Sequence, residues 1–416
     1  MTQTIVVNKF GGTVRAVTSK SYLHRAAICA ALAEGKSTLV HTDLCRDTEA
    51  TVAALTALGA ELHTECGMTR ITPMPHTPHP PIRPLACGES ASTFRFLIPL
   101  VAAMGGGCLQ GEGRLLDRPL APIADCLASH GISLKREGSC LFVGGKPLAS
   151  GEFHLAPDVS SQFTSGLLLT LPLLAGESRI VLEGAPVSRP YVAMTRAVQK
   201  AFGFDSTETE NGYLVMGGQR GRAIEYTVEG DYSNAAFFLA AGAIGKDSVS
   251  VTGLEQHSLQ GDSAVLPILR EFGAEYAFQG DTVTVTPATL RATDIDASDI
   301  PDLVPILSVV AACADGESRF FGVGRLRAKE SNRLQGIIEM LTALGAHAES
   351  DGEILTVRGT SHFRGATVSS QNDHRLAMSA AIAAIRANGA VTIEGSEAVS
   401  KSYPHFFEDF ASLNVN

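Results

Sequence analysis

One hydrophobic pattern recurs along the chain: an apolar stretch with helical spacing runs up to a glycine, and a short β-branched strand follows. Its six instances are AAICAALAEGKSTLV, PLVAAMGGGCLQ, LLLTLPLLAGESRIVL, FFLAAGAIGKDSVSV, ILSVVAACADGESRFF and AMSAAIAAIRANGAVTI. The terminating glycines, Gly35, Gly106, Gly176, Gly245, Gly316 and Gly389, lie 69 to 73 residues apart. A second ladder interleaves with the first. Amphipathic stretches end in LGA, HGI, FGF, FGA and LGA around Gly59, Gly131, Gly203, Gly273 and Gly345, at steps of 70 to 72 residues. A period this long, held over the full length, marks a repeat architecture. Each unit reads as a buried helix, a cap glycine, a strand, an amphipathic helix, another cap glycine and a strand pair. The sixth unit runs out after FFEDFASLNVN, so the N-terminal TIVVNKF is expected to supply its missing strand. The pattern predicts an α/β protein of two pseudo-threefold domains with three units each. Residues 1–18 plus 230–416 would form one domain and 19–229 the other.

The unusual polar residues gather where helices are expected to start. The apolar helices begin SKS, ESAS, SSQ, DYSN, DIPD and NDHR, and the amphipathic ones RDTE, DRP, SRPY, QGDS, AKES and SKSYP. N-capping accounts for Ser19, Asp117 and Asp231. It does not account for Lys20, Arg25, Arg118, Arg189, Lys329, Arg333, Arg375 and Lys401. A cation in a first turn opposes the helix dipole by about 0.3–1 kcal/mol, so eight of them call for an anionic ligand. RLRAKESNRL, from Arg325 to Leu334, would be one wall of such a site, with Lys329 and Arg333 a turn apart. Arginine suits phosphate and carboxylate alike, because its planar fork matches their oxygens. Asp302 and Glu330 lie inside this field and become acid–base candidates; pairing of Glu330 with Arg333 as a surface i,i+3 salt bridge is the competing reading.

Composition narrows the partners. A length of 416 residues exceeds what a single core supports, and 45% hydrophobic with 18% charged residues is ordinary for a soluble globular protein. The net charge of −10 argues against nucleic-acid or membrane-surface binding. No signal peptide or membrane span is evident, so a cytoplasmic protein is expected. The eight cysteines fall at no metal-ligand spacing and read as reduced thiols. The segment from Pro73 to Pro84 reads as a stiff surface connector, and its His76 and His79 as loop residues rather than metal ligands. P-loop, dinucleotide-fold and zinc-protease motifs are all missing from the sequence. His374 reads as structural rather than as a catalytic base.

Nine segments, in order and at the repeat positions, carry a family resemblance: SKSYLHR, GESASTFR, DRP, SSQF, SRPY, IPD, RAKESNR, NDHR and SKSYP. Over essentially its whole length the chain resembles the 5-enolpyruvylshikimate-3-phosphate synthases, enolpyruvyl transferases of aromatic amino-acid biosynthesis. The resemblance implies two domains of three βαβαββ units each, an inside-out α/β barrel, with the ligand cleft between them. It implies transfer of enolpyruvate from phosphoenolpyruvate to the 5-hydroxyl of shikimate 3-phosphate, by addition and elimination, with no cofactor and no metal. Asp302, Glu330 and Lys20 match the family's catalytic positions. Lys20, Ser21, Arg25, Ser160, Ser161, Gln162, Ser188, Asp302 and Lys329 match those holding shikimate 3-phosphate. Lys20, Ala91, Arg118, Gln162, Arg333, Arg375 and Lys401 match those around phosphoenolpyruvate. Two substrates of roughly −2.5 to −3 each would explain the cations. The expected partners are these two small molecules, with no nucleic acid and no membrane, and the protein is expected to be a monomer.

Three positions depart from the family pattern. Val17-Thr18 replaces Pro-Gly before SKS, Arg325 stands where an asparagine is usual, and Ala91 replaces a glycine. Because the herbicide glyphosate is longer than phosphoenolpyruvate, the extra methyl of Ala91 implies a glyphosate-tolerant enzyme. The alternatives are a UDP-N-acetylglucosamine enolpyruvyl transferase, a non-catalytic phospho-ligand-binding paralogue, or a cyclase-like binder of RNA ends, which the net acidity disfavours.

Overall fold

A computed structural model describes residues 1–75 and 79–415; His76 lies outside that set. The chain divides into two compact units, Thr18–Glu229 and Met1–Val17 with Gly230–Asn416. Thr18 falls with the longer continuous segment. Its N–H donates to Thr42 Oγ1 at 2.9 Å, and its hydroxyl accepts from the Thr42 N–H at 2.6 Å. This reciprocal pair shapes the turn where the family has Pro-Gly.

Six helices build Thr18–Glu229: α1 (Lys20–Leu32), α2 (Arg46–Ala57), α3 (Ala91–Ala103), α4 (Ala121–Ala128), α5 (Ser161–Thr170) and α6 (Arg189–Ala201). Six more build the other unit: α7 (Tyr232–Ile244), α8 (Val265–Glu271), α9 (Val304–Ala312), α10 (Arg333–Ala343), α11 (His374–Ala383) and α12 (Phe406–Leu413). The odd-numbered helices are the apolar ones of the repeat. Every residue of α7, α9 and α11 is buried, and the three pack on one another at the centre of their unit. α1, α3 and α5 fill the same place in the other. The even helices bury one stripe each, as amphipathic helices do.

Sheets enclose each helical core. Three four-stranded sheets serve Thr18–Glu229, and two four-stranded sheets plus one of three strands serve the other unit. The three-stranded sheet takes Thr2–Ile5 as its edge, antiparallel to Val391–Glu394 with Thr2 opposite Glu394. The N-terminal segment thus supplies the strand missing from the sixth repeat. All five glycines of the second ladder sit at positive φ, from 76° at Gly131 to 104° at Gly273. The first ladder is less regular: Gly245 closes α7 with φ −74°, and Gly389 lies beyond a 3₁₀ turn, Ala384–Arg386.

Candidate active site

Helix starts collect the polar residues, and the first link is capping. Ser19, Ser90, Ser160, Asp231 and Asp373 each accept a backbone N–H at the start of an odd helix. Asp117 is no cap: it ends a 3₁₀ turn and pairs with Arg136 at 2.9 Å. The cations are also placed less uniformly than expected. Lys20, Arg189, Arg333 and Arg375 open helices, whereas Arg25 lies in the second turn of α1, and Arg118, Lys329 and Lys401 precede α4, α10 and α12 on 3₁₀ turns or loops. Lys329 and Arg333 are therefore not on one helix.

In the unit built on α7, α9 and α11, three cations converge on Asp302. Lys329 Nζ lies 3.3 Å and Arg333 Nη1 2.7 Å from its Oδ1, and Arg375 Nη2 lies 3.1 Å from its Oδ2. Arg333 is fully buried and also donates to Glu330 Oε2 at 2.6 Å and to Asp373 Oδ2 at 2.8 Å. Burial alone would push its guanidinium down, but Asp373, Glu330 and Asp302 outweigh that and hold it above the ordinary arginine value. The i,i+3 pair with Glu330 is thus made, but as part of a buried network rather than at the surface. Asp373 is fully buried, caps α11 and accepts from Ser331 at 3.2 Å. Lys401 is buried and donates to the Asn372 carbonyl at 2.6 Å. Gln371 and Asn372 have φ of 51° and 58°, a strained pair held where two charged segments meet. His374 is buried inside α11. Arg325 donates to the Ser298 carbonyl.

Sequence reasoning missed one acid here. Asp262, fully buried in a 3₁₀ turn ahead of α8, accepts the Ser233 hydroxyl from the start of α7. Burial and then the neighbouring Asp302 carboxylate raise its acid to about 6. QGDS marks a helix start in the sequence, but nothing in residue order brings Ser233 or Asp302 to its aspartate.

In the unit built on α1, α3 and α5, Lys20 Nζ meets Asp47 Oδ2 at 2.8 Å, joining the starts of α1 and α2. Arg25 is buried over the Phe96 ring and donates to Thr195 Oγ1, the Ser21 carbonyl and the Tyr191 carbonyl at 2.7, 2.7 and 2.9 Å. Burial pushes it down to about 10. A second missed residue, Arg95, ties the cluster together. Its Nη1 donates to Ser160 Oγ and Gln162 Oε1 at 3.1 and 3.0 Å, and its Nη2 donates to the Pro119 carbonyl beside Arg118 at 3.1 Å. Gln162 Nε2 donates to Ser92 Oγ at 3.0 Å, next to Ala91 at the buried start of α3. Ser161 and Ser188 are buried, Ser188 with φ 54° ahead of α6. The structure therefore gathers Lys20, Ser160, Gln162 and the Ala91 turn through Asp47, Thr93 and Arg95. Arg95 was legible in GESASTFR as a residue, but only the packing of α3 on α5 gives it partners.

A family model described as EPSP synthase (3-phosphoshikimate 1-carboxyvinyltransferase) matches residues 6–410. The chain belongs to the EPSP synthase family. Curated relatives named 3-phosphoshikimate 1-carboxyvinyltransferase come from Methanocorpusculum labreanum and Clostridium kluyveri. They are 37% and 38% identical over 98% and 97% of this chain, and over 97% and 95% of their own lengths. A solved EPSP synthase from Acinetobacter baumannii superposes with a TM-score of 0.81 at 26% identity, over 100% of this chain and 98% of that one. The enolpyruvyl transferase NikO from Streptomyces tendae shares the fold at TM-score 0.78 and 17% identity, over 100% of this chain and 98% of its own. As an EPSP synthase family member the chain is a transferase of the shikimate pathway. No helix among the described residues is long and apolar enough to cross a membrane.

Proposed function

We propose that this EPSP synthase family member transfers the enolpyruvyl group of phosphoenolpyruvate to the 5-hydroxyl of shikimate 3-phosphate and releases phosphate. The observation that carries the reading is the pairing of Asp302 and Glu330 on one buried guanidinium, with Lys329 and Arg375 on the same Asp302. Addition to an enol needs a proton delivered to the methylene carbon and another removed from the attacking hydroxyl. Two carboxylates fixed by a shared arginine are suited to those two transfers. Arg333 is then a positioning residue, since its nitrogens already face carboxylates. Lys20, Ser21, Ser160, Ser161, Gln162, Ser188 and Lys329 are assigned to shikimate 3-phosphate. Arg25 supports them from behind, because each of its nitrogens already donates to a protein oxygen. Lys20, Ala91, Arg118, Gln162, Arg375 and Lys401 are assigned to phosphoenolpyruvate.

Phosphate release is the deciding assay. It should require phosphoenolpyruvate and shikimate 3-phosphate together and should persist in a metal chelator; turnover of a UDP-sugar in place of shikimate 3-phosphate would overturn the assignment. The Ala91 methyl supports a finer proposal, that glyphosate is disfavoured relative to phosphoenolpyruvate.

A further inference from the structure

α7, α9 and α11 run parallel. Their starts meet through Ser233, Asp302 and Arg375, where Arg375 Nη1 donates to the Ser233 and Asp302 carbonyls. Their far ends line a single cavity of about 440 Å³. Ile244 comes from the end of α7, Cys313 and Ala314 from the end of α9, and Arg386 from the 3₁₀ turn that continues α11. That volume lies within the range of small-molecule sites, about 300–1,000 Å³. None of the residues assigned to the transferase reaction lines this cavity.

The walls carry one charge of each sign in a lining that is more polar than apolar, Thr289, Thr360 and Ser361 among it. Asp315, from the turn after α9, is exposed, and its carboxylate has no hydrogen-bond or ion-pair partner among the described residues. Arg386 is half-buried; its Nη2 donates to the Ser361 carbonyl at 3.0 Å, while its Nε and Nη1 have no partner among the described residues. Ile244, Ala288, Leu290 and Ala314 contribute the smaller, apolar part of the lining. Three helix C-termini end here, and the negative pole of their dipoles favours a cation beside Asp315. A guanidinium with donors to spare favours a carboxylate. Cys313 is not a reactive centre, because burial pushes its thiol up to about 12.

We propose that this cavity binds a small zwitterion, an α-amino acid in chemical class, with its ammonium on Asp315 and its carboxylate on Arg386. The inference stands apart from the enolpyruvyl assignment, since no residue placed in that chemistry lines the cavity. L-leucine is the probe. Calorimetric titration of the full chain should give saturable binding with a Kd of about 1 mM or tighter. Leucinamide, which lacks the carboxylate, and 4-methylpentanoate, which lacks the ammonium, should each bind about tenfold more weakly or worse. Asp315→Asn should weaken leucine to the level of 4-methylpentanoate without changing 4-methylpentanoate itself. Arg386→Gln should weaken leucine and leave leucinamide unchanged. If loss of the Ser361 contact unfolds the arginine variant, the exposed Asp315→Asn still decides. No saturable leucine binding, equal binding of either single-charge analogue, or leucine binding indifferent to Asp315→Asn would each overturn the proposal.

Discussion

Asp302 shows how one side chain takes its meaning from its neighbours. In sequence it is an aspartate after Ile-Pro; in the fold it accepts from Lys329, Arg333 and Arg375. Asp302→Asn and Glu330→Gln are expected to lower kcat by about 10²–10⁴, the usual worth of a positioned acid or base. Steady-state phosphate release measures this, and near-normal kcat in both would place the proton transfers elsewhere. Arg333 differs in kind. Removing it strands Asp373, Glu330 and Asp302 with no common cation, and breaking a buried network of that sort costs about 3–5 kcal/mol. Arg333→Ala should therefore lower the urea midpoint as well as activity, whereas Lys401→Ala should raise KM for phosphoenolpyruvate more than it lowers stability. For Ala91, one added methyl in a rigid site costs about 1–3 kcal/mol, or one to two decades in affinity. Ala91→Gly should tighten glyphosate about tenfold or more while changing KM for phosphoenolpyruvate less; inhibition of the unaltered protein at low micromolar glyphosate would contradict the steric argument.

Between elements, the close approach of α3 and α5 sets the Arg95 hub. A Cβ at Gly166 of α5 would lie 2.8 Å from the Arg95 carbonyl oxygen and 3.3 Å from Phe96 Cα, both backbone atoms that cannot swing aside. Gly166→Ala gains about 1 kcal/mol of helix propensity but meets overpacking of about 1–3 kcal/mol, so a net loss of stability is expected. It should also loosen the Arg95 contacts to Ser160 and Gln162, which a rise in KM would report. An unchanged denaturation midpoint and KM would show that the two helices can part at no cost.

Across the molecule, two buried groups give stability opposite slopes with pH. His24 is fully buried, hydrogen-bonded to Thr51 at 2.7 Å, and held well below 6.5 by burial and then by Lys20 and Arg25. Its unfolded form binds a proton that the folded form refuses, so stability is full above about 6.5 and falls as pH drops below it. Asp262 works the other way. Its acid is raised from 3.8 to about 6, so the folded form keeps a proton that the unfolded form loses, and stability falls as pH rises from about 3.8 to 6. His24→Gln should flatten the acid-side loss of Tm, and Asp262→Asn should flatten the opposing decline. Melting curves between pH 4 and 8 measure both, and parallel profiles for the unaltered chain and either variant would refute the corresponding assignment.

The period of the hydrophobic pattern determined the two sets of three buried helices and the N-terminal strand beside Val391–Glu394, because burial of an apolar helix and pairing of a β-branched strand are local demands written in residue order. The cations were legible for the same reason, as charges against a helix start. Tertiary structure alone decided which of them touch. Asp373, Asp262 and Arg95 carry no sign of their partners in residue order; helices far apart in sequence brought Arg333, Asp302 and Ser160 to them. Lys329 and Arg333 looked like neighbours on one helix, and a loop ahead of α10 separates them while Asp302 reunites them. Charge networks depend on distance in space and on the loss of water around them, and neither quantity is carried by spacing along the chain.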